Sequence, residues 1–405
     1  MIPARRPFAA VILLTLCAAA HAQKPSIWDD REVTLTDEDT TTPVNVTIWD
    51  SGTYLTLFRG QVYTDMTSGG IRSDQHDIAY DLKKAPAKGF MPGLDAQQTQ
   101  QYATARPLLK GFNDLQLGLD TPDAAAVKQR LAASDGPALT EQLRYFSLYA
   151  EGTEVASIAA RGNPAIRMGV GRIGFDWHNT PAAPTEELAH RAASADHAYV
   201  DWFDSNEMRV VSIAWTVSPH DYEAALEKNN LGADAAERKA TAAKLFTIER
   251  NGLFEAMKSS SNILFICSSG KPAAKGAPLD AAPANFKLPN VLTVGAVDQA
   301  GDEAPYTAYG DTVLVDANGS QVDATMPGGY KIKLSGAMVA TPAVVNLAAK
   351  LLALNTALTP EQVIKLIVDG STPSADGKRH LINPKKSVEL LKTMAPPAAS
   401  GKKKK

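Results

Sequence analysis

The stretch Lys333–Leu354, KLSGAMVATPAVVNLAAKLLAL, decides how this chain is read. Ser335-Gly336-Ala337 is a run of small residues suited to a tight turn, and a helix follows it. Val344, Val345, Leu347, Ala348, Leu351 and Leu352 go almost all the way round that helix. A helix apolar on every side is predicted to lie buried at the centre of a domain. Free N–H groups and partial positive charge gather at its N-terminus, which makes the turn before it a good seat for a nucleophile.

Upstream, short β-branched or apolar runs alternate with helical stretches. Val44–Trp49 reads as a strand ended by Asp50-Ser51-Gly52, and Ala165–Phe175 and Arg209–Trp215 read as two more. Pro219–Asn229 and Ala233–Lys258 have helical spacing, and Ile263–Cys267 and Val291–Val297 are buried-strand runs. Between about Gly60 and Leu148 lie helical stretches such as Asp123–Ala133, broken by Gly and Pro turns. Strands alternating with helices predict an α/β fold with a mostly parallel sheet between helical layers.

The chain has 405 residues, 44% hydrophobic and 21% charged, which suits one large globular domain. A net charge of −3 gives no reason to expect nucleic acid or an anionic membrane as partner. Arg5 and Arg6 precede the apolar run Phe8–Ala20, which ends in Ala20-His21-Ala22. That order predicts a secretory leader cut after Ala22 and a secreted or periplasmic mature chain. A polar arm over 23–42 follows, then a domain over 43–395 with an insertion at about 60–148, then a disordered Lys-rich tail over 396–405. No later stretch reaches ~18 uninterrupted apolar residues, so no integral membrane segment is expected. Of the two cysteines, Cys17 leaves with the leader, and Cys267 is expected to be a buried, inert thiol.

Several ordered segments resemble the subtilisin-like serine proteases, or subtilases. Their nucleophile helix reads S-G-T-S-M-A-x-P, and Ser335, Gly336, Ala340 and Pro342 match it while the nucleophilic serine falls on Met338. Their Asp ends a strand as apolar-x-D-[ST]-G, similar to Ile48-Trp49-Asp50-Ser51-Gly52. Their H-G-T-H-V-A, with its His at the start of a helix, resembles Glu151-Gly152-Thr153-Glu154-Val155-Ala156, with both histidines replaced by Glu. Their oxyanion strand A-A-G-N is similar to Cys267-Ser268-Ser269-Gly270-Lys271, which puts Lys271 at the Asn. Pro289–Asp298 and Tyr306–Gly310 resemble two further segments that have no catalytic role.

The resemblance implies a subtilisin-like three-layer fold in which Asp50, Glu151, Lys271 and Met338 face one cleft at the carboxyl ends of the strands. Of four catalytic positions only Asp50 survives. A thioether has no proton to lose, and a carboxylate with a pKa near 4 is too weak a base to take a hydroxyl proton. The implied function is a pseudoprotease that binds extended peptide or protein without cleaving it and needs no cofactor or metal. The alternatives are an active serine endopeptidase with a relocated nucleophile, for which Ser335 and His197 are the candidates, and a purely structural or interaction protein. In the cleft, Asp50 and Glu151 should raise each other's pKa while Lys271 lowers it again. A self-balancing charge cluster is therefore expected, with a site for a basic group or a cation, or a two-carboxylate hydrolase, as the other readings.

Overall fold

The computed structural model describes residues 26–40, 42–68, 71–73, 77–133, 135–272 and 279–394. The leader and the Lys-rich tail lie outside them. Strand β1 is Val44–Asp50, followed by β2 (Asp65–Ser68), β3 (Ile71–Ser73), β4 (Asp77–Tyr80) and β5 (Pro86–Ala87). Four helices come next: α1 (Ala96–Ala105), α2 (Leu109–Gln116), α3 (Pro122–Ala133) and α4 (Gly136–Ala159). Then come β6 (Ile166–Ile173), α5 (Glu186–Ser205), β7 (Val210–Ile213), α6 (Pro219–Lys228) and α7 (Ala235–Ser259). The strands β8 (Leu264–Ser268), β9 (Val291–Val297) and β10 (Val313–Asn318) precede the hairpin β11 (Val322–Thr325) and β12 (Lys331–Leu334). The chain closes with α8 (Ala337–Leu354), α9 (Pro360–Gly370), β13 (Thr372–Pro373), β14 (His380–Leu381) and α10 (Pro384–Thr393).

Ten strands form the main sheet in the order β13-β14-β10-β9-β8-β7-β1-β6-β4-β5. Every pair from β14 to β4 is parallel, and only the two outermost pairs are antiparallel. The α/β reading holds. Alternate side chains of each strand feed two different cores, as the two-residue period of a strand requires. Val46 and Ile48 of β1, and Leu264 and Ile266 of β8, join a core that holds α8 and α9. Trp49, Phe265 and Cys267 point the other way, into a core with Tyr199 and Phe203 of α5 and Leu253 of α7. Strands buried on both faces need nearly continuous apolar sequence, which is why these runs were readable.

In α8, every residue from Val344 to Ala353 is buried, Lys350 included. Burial pulls the Lys350 ammonium down to about 8. Among the described residues α8 is the one helix long and apolar enough to cross a membrane, and 83% of it lies inside the molecule. The N-terminal arm is docked on the domain: Trp28 is buried, its Nε1 donates to the Asp298 carbonyl at 3.1 Å, and Arg31 Nη1 donates to the Ile382 carbonyl at 3.1 Å.

Helices α1 to α4 build a third core. Tyr102, Leu109, Phe112, Val127, Leu143 and Phe146 pack with Ile332 and Leu334 of the β11–β12 hairpin and with Val339 of α8. Burying each Leu or Phe contributes roughly 1.5–3 kcal/mol, so this layer is held firmly against the first turn of α8.

Candidate functional site

Asp50 is the last residue of β1 and is 1% exposed. The loop after it runs against α4 with almost no gap. A Cβ on Gly152 would lie 2.3 Å from the Gly52 carbonyl oxygen, so the Gly of the G-T pair is dictated by backbone contact. The Gly152 N–H donates to Ser51 Oγ at 3.3 Å, and the Tyr54 N–H donates to Thr153 Oγ1 at 3.0 Å. These bonds fix Glu151 beside Asp50. The expected helix start at Glu151 is corrected: α4 begins at Gly136, with Pro137 in its first turn, and Glu151 lies in its second half. The position therefore has no free N–H groups or helix N-terminal charge to offer.

Three carboxyl groups meet here. Asp50 is pushed up to about 6 by burial, against the pull of hydrogen bonds from Ser51, whose N–H donates to Asp50 Oδ1 at 2.6 Å. Asp50 Oδ2 is buried and has no hydrogen-bond partner. Glu154, 5% exposed, is pushed up to about 8 by burial and then by Asp50. Glu151 is half-buried and held well above the usual carboxyl range by desolvation, then by Asp50 and Glu154. The expected self-balancing cluster is corrected too. Lys271 does not neutralise it, because its ammonium donates to the Gln116 carbonyl at 2.8 Å.

Across the sheet, the turn before α8 is a glycine turn in fact as well as in sequence. Gly336 has φ +136°, a conformation L side chains avoid, and its N–H donates to the Gly319 carbonyl at 2.8 Å. Met338 is in the first turn of α8, and Pro342 has no N–H to give its carbonyl. Helix α2 lies on this turn. Asn113 Nδ2 donates to the Ser335 carbonyl at 3.1 Å, and the Ser335 N–H donates to Asn113 Oδ1 at 3.2 Å. Leu117 Cδ1 and Met338 Cγ flank Gly336, 4.0 and 3.2 Å from where its Cβ would be. Asn113, Gln116 and Leu117 thus form a strap over the Lys271 and Met338 side of the cleft.

The structure brings Asp50 and Glu151 together, adds Glu154, and sets Lys271 and Met338 on the same edge of the sheet under the strap. Ser335 is 1% exposed, and its Oγ accepts from the Gln321 N–H and from Gln321 Nε2, both at 3.2 Å. His197 is exposed on α5, across the sheet from α4 and α8. Neither forms a nucleophile–base pair. Cys267 is fully buried, and burial raises its thiol pKa. Sequence reasoning missed Glu154 as a member of the site, although its spacing of three from Glu151 puts both on one helix face. Nothing in the sequence marked Asn113 or Gln116.

A model of the subtilase family, peptidase S8, matches residues 149–384. The thermostable alkaline protease of Halalkalibacterium halodurans is 33% identical over 91 residues, 22% of this chain and 24% of that protein. The subtilisin-like serine protease Pen ch 13 of Penicillium rubens is 25% identical over 190 residues, 45% of this chain and 44% of its own length. The chain thus spans less than half the length of either curated relative. The crystal structure of a cold adapted subtilisin-like serine proteinase superposes with a TM-score of 0.45 at 16% identity, covering 87% of this chain and 93% of that one.

Proposed function

Since the chain belongs to the subtilase family, we propose that it is a pseudoprotease, a secreted or periplasmic protein that binds extended peptide or protein segments and does not cleave them. The observation that carries this reading is Met338 in the first turn of α8, where the family pattern has its serine. In subtilisin, the standard example for this family, loss of the serine or the histidine alone costs about 2 × 10⁶ in turnover. Here both positions are changed, and Glu151, pushed toward its neutral form, is an acid rather than a base. The groups at the positions that hold an imidazole and an oxyanion in the family have other partners here: Asp50 faces two glutamates, and Lys271 bonds to Gln116.

Extended peptide binding by backbone pairing needs no nucleophile, so the scaffold can keep that role after its chemistry is gone. The leader pattern of Arg5, Arg6 and Ala20-His21-Ala22 supports export. Two measurements test the reading. The mature chain should begin at Gln23, and a fluorophosphonate probe should leave it unlabelled while casein turnover stays at the buffer level. Labelling that Ser335→Ala abolishes would establish a relocated nucleophile and end the pseudoprotease reading.

A further inference from the structure

The cleft has one closed end and one open end. On the β8 side, α2 is fastened to the Ser335 backbone by Asn113 and to Lys271 by Gln116. On the β6 and β4 side, a cavity of about 220 Å³ opens beside Ser51. Its walls include Tyr145, Leu148 and Tyr149 of α4, Ile173 at the end of β6, and Phe175 and Trp177 after it. Arg144 Nη1 donates to the carbonyls of Trp177 and His178 at 3.2 and 3.1 Å, which holds the Trp177 loop in place. The cavity is smaller than the ~300–1,000 Å³ typical of small-molecule pockets, and its size and apolar walls suit one large side chain. Leu148 is one helix turn before Glu151, so the cavity adjoins the carboxyl cluster.

That cluster is short of positive charge. Arg172 lies opposite Asp50 in the sheet and lines the cavity, but its guanidinium donates to the carbonyls of Gly89 and Lys88 at 2.7 and 2.9 Å. Asp81, also in the wall, accepts from the N–H groups of Lys83 and Ala85. Tyr102, Tyr145 and Tyr149 are also packed near it, and burial raises the pKa of all three hydroxyls, so they stay protonated. Asp50, almost wholly buried, still has one carboxylate oxygen without a partner, and its charge reaches both glutamates. Among the described residues no three His, Cys, Asp or Glu side chains are grouped to hold one metal ion. An ammonium group asks less geometry of its acceptors, since it carries three rotatable donors.

We infer that the cleft takes the amino-terminal end of a peptide, its α-ammonium group against Asp50, Glu151 and Glu154 and its first side chain in the cavity beside Ser51. This rests on the peptide-binding reading above and narrows it. A segment from the middle of a chain would have to continue past Met338, where Asn113 and Gln116 stand. A chain end does not. Binding an ammonium favours the ionised carboxyls, so affinity should rise with pH while the cluster loses protons, and fall again once the α-amino group, with a pKa near 8, loses its own.

The test uses the mature protein and three peptides carrying a C-terminal fluorescein: Phe-Ala-Ala-Ala-Ala with a free amino terminus, the same peptide acetylated, and an acetylated version with an internal lysine. Fluorescence polarisation at pH 7 should show the free terminus binding at least about tenfold more tightly than either acetylated form, as expected for a charge-assisted hydrogen bond. Glu151→Gln should bring the three peptides to near parity. Asn113→Ala combined with Lys271→Ala unfastens the strap and should strengthen the acetylated peptides selectively. Equal binding of free and acetylated peptides would overturn the inference while the peptide-binding reading stood. Tight binding of the internal-lysine peptide would do the same. Failure of all three peptides to bind would remove both.

Discussion

The junction of β1 with α4 and the junction of β8 with α8 carry two segments that match the subtilase pattern, and they depart from that pattern in different ways. At the first, backbone contact is retained down to a missing Cβ at Gly152, while both histidine positions of the motif, 151 and 154, carry glutamate. At the second, the glycine turn at Gly336 is kept, and α2 lies over it. The difference teaches that what the fold demands of a position and what chemistry demands are separable. Glycines set by close approach or positive φ persist because any replacement strains the scaffold. His and Ser positions, which the fold does not need, are free to drift or to be covered.

Rebuilding the chemistry would break this comparison most sharply. The variant Glu151→His, Met338→Ser, Lys271→Asn restores the family's side chains but leaves Asn113 on the Ser335 backbone. Peptide-ester turnover is expected to stay at the floor, and to rise by orders of magnitude only when Asn113→Ala is added and the oxyanion position is reached. Equal turnover of the two variants would show that the strap is no barrier. Next in size is Gly152→Ala. Helix propensity favours alanine by about 1 kcal/mol, but a methyl group 2.3 Å from a backbone oxygen costs about 3 kcal/mol. Net destabilisation of about 2 kcal/mol should appear in denaturant melts, and a neutral or stabilised variant would mean that the loop after β1 yields easily.

A third test sharpens the comparison through pH. Glu154 has a folded pKa of about 8 against 4.5 for the free side chain, so between those values the native chain holds a proton that the unfolded chain has lost. Stability should therefore fall as pH rises from about 5 to 8, by on the order of a few kcal/mol, the reverse of acid denaturation. Asp50 and Asp316, each raised to about 6, add to the fall at the acid end of that range. Glu154→Gln should flatten the slope. An unchanged slope would place the proton uptake elsewhere, for instance at Asp196, whose buried Oδ2 also has no partner.

Much of this was legible from residue order alone. β1, β8, β9 and α8 announced themselves because strands and helices buried on all sides need unbroken apolar sequence. Asp50 and Glu151 could be paired because the motifs on which they sit are held by backbone geometry. The helical stretches between Gly60 and Leu148 were seen, but where α2 docks was not. Asn113 reaches Ser335 and Gln116 reaches Lys271 across more than 150 residues, through an amide side chain and a backbone carbonyl that carry no distinctive pattern. The early start of α4 had a signal in Asp135-Gly136-Pro137, a turn with proline in the first helical turn. It was masked by the familiar motif further along. The neutralising role expected of Lys271 failed because a flexible ammonium takes whichever acceptor is nearest, and sequence does not say which that is.

Before folding, α8 is a hazard. A chain exported unfolded, as the proposed leader implies, carries these eighteen residues bare through a channel that can release apolar segments sideways into lipid. Lys350 is the one charged residue among them. Lysine costs about 2.5–3.5 kcal/mol at a bilayer centre and less toward a helix end, where Lys350 stands, yet still opposes the leucines around it. On the proposed export route, the lysine that the folded core accommodates only by weakening its hold on a proton would also weigh against α8 stopping in the membrane, so that it ends as a core instead of an anchor.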